Sequence, residues 1–140
     1  MISFHIIKNG FKLKNRQEIR KWLKDVISAE LRKPGQIDII FCSDDYLLEL
    51  NKQQLNHNYY TDVLTFNYSE ESTIISGDIF ISTDRVKENA HYFNVEEDEE
   101  LLRVVVHGIL HLVGYNDETD TEILLMRKKE LEYLNRINWL

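Results

Sequence analysis

At 140 residues, 43% of them hydrophobic and 29% charged, the chain has the make-up expected of one soluble globular domain with a single core. A lone cysteine, Cys42, excludes an intrachain disulfide framework. No apolar run approaches the ~18 residues of a membrane span, and the first residues, MISFHIIKNGFKLKNR, lack a secretory layout, so a reducing cytoplasm is the expected setting. The net charge of −7 is unevenly spread: residues 1–33 hold nine Lys/Arg against three Asp/Glu, and the rest hold eight against 21. Lys12, Lys14, Arg16, Arg20, Lys21, Lys24, Arg32 and Lys33 are therefore read either as one polyanion-binding surface or as a solvated face.

In chain order, Ser3 to Lys8 predicts a first strand, closed by Asn9-Gly10. Ile19, Trp22, Leu23, Val26 and Ile27 recur at helical spacing between Asn15 and about Leu31. Lys33-Pro34-Gly35 reads as a break, and Gln36 to Cys42 as a buried strand. Ser43 suits the N-cap of a helix from Asp44 to about Leu55. Asp62 to Tyr68 and Thr73 to Ser82 predict two arms of a hairpin, with Gly77 marking a bulge or a close backbone approach. Thr83 is expected to cap a helix ending near Phe93. A last helix starts at Thr119 or Asp120 and carries Ile123, Leu124, Leu131, Leu134 and Ile137.

Between these lies the centre of the chain, Val95 to Val113, expected as one long helix capped by Asn94, with Glu97 completing a capping box. From Leu101 onward it is apolar on nearly every side, the mark of a buried rather than an amphipathic helix. The order of elements predicts an α+β fold: a small mixed four-stranded sheet packed with about five helices, the buried helix lying against the sheet.

Two histidines interrupt that apolar run. His107 and His111 stand four residues apart, which puts both imidazoles on one face, one turn apart. Gly114 can end the helix and turn the chain so that Asp117 comes back toward them. Two neutral nitrogens and one carboxylate suit zinc with a fourth position open, the arrangement of a catalytic rather than a structural site. A pair of satisfied core histidines is the competing reading, and the glycine stop followed by a carboxylate weighs against it. One zinc per chain is expected on His107, His111 and Asp117. The zinc-protease helix carries Glu directly after its first His, whereas Gly108 stands here, so a peptidase would lack its general base. Gly108 should also be offset by close packing on its face. Arg103, one turn before His107, is expected either to contact a phosphate or to pair with an acidic neighbour.

The segment HGILHLVGYND, from His107 to Asp117, resembles the signature of the YbeY family of bacterial metal-dependent endoribonucleases, the rRNA maturation factors. Thr61-Asp62-Val63-Leu64-Thr65-Phe66 and Gly77-Asp78-Ile79 resemble two further family blocks, in the same order, with Leu50-Asn51 before them. Two departures stand out. Asp117 occupies the place of the family's third histidine, and Leu55 the place of an arginine thought to serve substrate binding or catalysis.

The resemblance implies a zinc-dependent, single-strand-specific endoribonuclease acting in rRNA maturation, at the 3′ end of the small-subunit rRNA, and in ribosome quality control. Its expected partners are single-stranded rRNA, the ribosomal small subunit and associated factors, with no membrane. His107, His111 and Asp117 would act through the metal, with Arg103 as a further catalytic candidate. Thr61, Asp62, Phe66, His57, Lys12 and Arg16 are the expected substrate-binding residues. Metal-activated water and the RNA 2′-hydroxyl are both open as nucleophile. A non-catalytic assembly factor stabilised by its metal is the alternative, followed by a small metallopeptidase.

Overall fold

A computed structural model describes residues 1–140. Its elements run β1 (Ile2–Ile6), α1 (Arg16–Ala29), β2 (Lys33–Cys42), α2 (Asp44–Leu55), β3 (Val63–Asn67), β4 (Ile74–Ser82), α3 (Thr83–Phe93), α4 (Glu97–Val113) and α5 (Asp120–Leu134). The strands form one sheet in the order β1-β2-β4-β3, with β1, β2 and β4 parallel and β3 antiparallel to β4. The expected α+β fold, a mixed four-stranded sheet with five helices, is the one observed.

Strand alternation explains how the two sheet faces are used. Ile37, Ile39 and Phe41 of β2 and Ile75, Ile79 and Ile81 of β4 point to one face and are buried with α1 and α4 in a single core cluster. On the opposite face Leu64, Cys42 and Leu47 form a smaller cluster, flanked by Leu50, Phe66 and Phe80, which seats α2. Burial pushes the Cys42 thiol up to about 12, so it is an inert core residue.

Four local expectations are corrected. The segment Lys33-Pro34-Gly35 does not break the chain but belongs to β2, beside a register shift between Pro34 and Ile37. A bulge accommodates a proline that cannot donate to a regular ladder. Ser82, not Thr83, caps α3 by accepting from the Arg85 amide. Asn94 does not cap α4: it closes α3 in the left-handed conformation, and α4 begins at Glu97 after Glu96, with no side-chain cap. The acidic first turn of α4, Glu97 to Glu100, complements its N-terminal dipole instead.

The fourth correction concerns α5, which starts where expected, capped at Thr119 by a capping box with Glu122, but ends at Leu134 and so does not carry Ile137. Ile123, Leu124 and Leu131 face outward, Leu124 being 71% exposed. Met126, Glu130 and Tyr133 face inward. The inward face is held to α1 by polar contacts that hydropathy does not register. Tyr133 and Tyr115 both donate to the Glu30 carboxylate, and the Trp22 indole N–H donates to the Tyr133 carbonyl. Burial pushes the Glu30 carboxyl up, but these phenols and Lys129 hold it below the ordinary range.

α4 runs against the sheet at two glycines. A Cβ on Gly108 would lie 2.6 Å from Ile79 Cγ2, so the glycine in mid-helix is offset by contact with β4, as anticipated. A Cβ on Gly77 would meet the Phe66 carbonyl oxygen and lie 2.8 Å from Leu112 Cδ2. Backbone cannot yield as a side chain does. Gly77→Ala should therefore cost about 1–3 kcal/mol, read as a lower urea midpoint. An unchanged midpoint would show that β3 and β4 can spread freely.

Candidate metal centre

Most of α4 is buried, but one facet carries Glu100, Arg103, His107 and His111 in successive turns. Gly114, at φ +125°, closes the helix: its amide and that of Tyr115 return to the Leu110 carbonyl. The chain then turns, and Asp117 comes back over the end of the helix. His107 Nε2 and His111 Nε2 are 3.0 Å apart, and Asp117 Oδ2 lies 3.3 Å from each. These three are the one group of His, Cys, Asp or Glu side chains in the chain placed to hold a metal ion.

The donor set fits a cation. Glu130 Oε2 sits 2.6 Å from His107 Nδ1 and takes its hydrogen, leaving Nε2 bare toward the site. Burial and the neighbouring His107 lower the pKa of His111. Neutral imidazoles are the metal-binding form. Ligands at 2.0–2.2 Å around a tetrahedral zinc stand about 3.3–3.6 Å apart, close to the spacing found here.

Glu130 escapes sequence reasoning because a carboxylate in the charged run Arg127 to Glu132 looks solvated. It is 2% exposed, and its helical spacing from Met126 and Tyr133, which share its inward facet, is the signal in the sequence that identifies it. Its second oxygen accepts from Arg103 Nη1 at 3.1 Å. Arg103 also grips Glu100 with two N–H groups, at 2.8 and 2.9 Å, and approaches Asp62 at 3.6 Å. Of the two expectations for Arg103, the structure places it among acidic neighbours, and it does not line the metal cavity. Burial pulls its pKa down, but Glu100 and Glu130 more than offset this and keep the guanidinium charged.

A cavity of about 290 Å³ opens beside the three side chains. Its far wall is built by a chain reversal: Asn56, in the left-handed conformation, ends α2 and sends residues 57–65 back past the metal side. His57, Tyr59, Thr61 and Asp62 line the cavity together with Asn51 and Leu55. Tyr59 and His57 stack at 5.1 Å and are joined by a 3.0 Å hydrogen bond. The Asp62 carbonyl accepts from the Ser82 amide at 3.0 Å, which ties this wall to the sheet.

Thr61, Asp62 and His57 are thus brought to the cavity beside His107, His111 and Asp117, and Phe66, Lys12 and Arg16 are not. Phe66 packs edge-on against Phe80 in the α2 cluster. Lys12 lies with Lys8 and Lys14 in a separate depression beside Glu97 and Asp98, at the opposite end of α4. Arg16 opens α1 and lines neither recess. The physical reason is that the loop after β1 packs over the start of α4, whereas the histidines sit near its end.

Exchanging the carboxylate tests its role as third ligand. Asp117→His should retain metal and Asp117→Ala should bind it more weakly, because imidazole and carboxylate both reach zinc at about 2.0–2.2 Å. Equal affinity for wild type and Asp117→Ala in a chelator competition would move the third ligand elsewhere.

A helix bearing two histidines, a returning aspartate and an open cavity, set on a small mixed sheet, gives an α+β fold whose three side chains could hold a metal ion with a position left open. The family model described as Endoribonuclease YbeY matches residues 5–138, and the chain belongs to that family. It is 48% identical over 134 residues to Endoribonuclease YbeY of Flavobacterium psychrophilum, covering 96% of this chain and 94% of that one. To the protein of the same name from Phocaeicola vulgatus it is 44% identical, covering 99% of both chains. The solution structure of TM1509 from Thermotoga maritima superposes with a TM-score of 0.68 at 34% identity, over 94% of this chain and 87% of that one.

Proposed function

We propose that residues 1–140 form one zinc-dependent endoribonuclease domain that cuts single-stranded RNA, acting in rRNA maturation at the 3′ end of the small-subunit rRNA and in ribosome quality control. Family membership supports the reaction class, and one observation carries the site: His107, His111 and Asp117 converge beside an open cavity. The ribosomal small subunit and its associated factors are the proposed partners, in the cytoplasm. No helix is long and apolar enough to cross a membrane.

Bound at the three side chains, zinc would supply Lewis-acid polarisation of a phosphoryl oxygen and an acidified water. The chain's own residues do the remaining work. Glu130 holds the His107 ring with its bare nitrogen inward, and Arg103 holds Glu130. Thr61 and Asp62 form the wall along which a strand passes, and the exposed His57–Tyr59 pair offers an aromatic face to an unpaired base. Leu55 gives that wall no cation, so the positive charge facing a phosphate would come from the ligand side.

The direct test is cleavage of a defined single-stranded RNA by zinc-loaded protein beside His111→Ala. Cutting by the wild type alone supports the reading. Intact RNA with fully loaded wild type would favour an assembly factor whose metal only stabilises the fold, the reading that Leu55 at the cavity wall keeps in play.

Where the rest of the strand binds is a separate question. In a folded, zinc-loaded protein, replacing Lys12, Lys14, Arg16 and Lys21 by Ser should weaken RNA binding if the basic stretch holds phosphates. It should also reduce the slope of log affinity against log salt by ~0.7 per lost contact. Wild-type affinity and slope in the variant would leave these residues a solvated face. RNA would then approach from the side of the His57–Tyr59 pair.

A further inference from the structure

Asn51 lies in the last turns of α2, wholly buried, and borders the metal cavity. Its amide Nδ2 donates to the Tyr59 carbonyl at 3.0 Å. A carbonyl can only accept, so this bond fixes which way round the amide lies. The other end, Oδ1, is the one buried side-chain polar atom in the chain without a hydrogen-bond partner. An acceptor kept out of water and left unpaired costs stability, and buried polar groups are otherwise almost always satisfied. Here the unpaired atom belongs to a residue on the wall of the cavity that also holds His107, His111 and Asp117.

What would satisfy it must be a donor. The phosphodiester backbone presents only acceptors, and the base edges vary along a sequence. The donor present on every ribonucleotide, and absent from DNA, is the ribose 2′-hydroxyl. We propose that Asn51 is a specificity-determining residue whose Oδ1 accepts a hydrogen bond from the 2′-hydroxyl of a nucleotide held at the metal cavity. The inference rests on the endoribonuclease reading and deepens it: Asn51 sets the preference for RNA over DNA. Its neighbours suit the role. Leu55, Val63 and Leu64 line the same cavity with apolar surface, and Asp62 is drawn toward Arg103.

The test needs no variant at first. Zinc-loaded wild type is titrated into a labelled single-stranded 12-mer RNA and into the set of strands with one ribose at a time changed to 2′-deoxy. Short incubations, with gels showing the strand intact, keep binding apart from cutting. One position should lose roughly tenfold in affinity, the loss of one hydrogen bond. A 2′-fluoro group there, which cannot donate, should lose as much. Asn51→Leu, checked for folding and zinc content, should then bind the ribose and deoxy strands within twofold of each other. A flat deoxy scan with RNA that is bound and cut overturns the inference and spares the endoribonuclease reading. So does a loss that follows a base's exocyclic amine rather than a ribose. Wild type that neither binds nor cuts single-stranded RNA overturns both.

Discussion

His107→Ala should leave the protein with well under a tenth of its zinc, where wild type holds close to one ion per chain, and should abolish RNA cleavage. The expectation follows from the ligand count. His107 Nε2 stands 3.0 Å from His111 Nε2 and 3.3 Å from Asp117 Oδ2, and no fourth His, Cys, Asp or Glu joins the group. Removing one of three ligands leaves two, too few for the tetrahedral sites zinc prefers. The fold should survive, since His107 lies on the one facet of α4 that faces the cavity rather than the core. Metal analysis after gel filtration, with circular dichroism on the same sample, reads both halves. Unchanged zinc in a folded His107→Ala protein would dismiss the site.

Glu130→Ala is expected to weaken zinc binding by about 10–100-fold although Glu130 is not itself a proposed ligand. Its oxygen holds the His107 ring in the orientation and tautomer that present Nε2, and the lost carboxylate also removes a negative charge behind the site. Stability should fall as well, by about 3 kcal/mol, because Arg103 loses one of two close carboxylate partners in a buried setting. Glu130→Gln should fall between, since its amide oxygen still accepts from Nδ1–H while the charge is gone. A competition titration against a chromophoric chelator and urea denaturation separate the two effects. Wild-type affinity in both variants would reduce Glu130 to a fold-stabilising residue.

The parts of the centre that sequence alone revealed are those encoded by short-range geometry. Helical spacing dictates that His107 and His111 share a face, and Gly114 supplies the positive φ that turns the chain toward Asp117. The hairpin of β3 and β4, and Gly77 as a close approach, likewise follow from alternation and from a missing Cβ. Even the failures are short shifts: Ser82 caps α3 one residue before Thr83, and α4 starts two residues after Val95 because Asn94 closes α3.

The other parts depend on which distant surfaces meet. Whether Leu124 or Glu130 of α5 faces inward is settled by the docking of that helix on α4, where Arg103 and His107 recover the cost of burying a carboxylate. Hydrophobicity ranks the two residues the other way. The charge of Lys12 and Lys14 is plain in the sequence, but their place at the far end of α4 comes from the packing of the loop after β1. Asn51 gains its meaning only from Tyr59, which takes one end of the amide and leaves the other buried and unpaired. Residues one turn apart are tied by the helix itself. Asn51 and Tyr59, or His107 and Glu130, become partners only through the packing of separate segments, where burial removes water as the competing donor and acceptor.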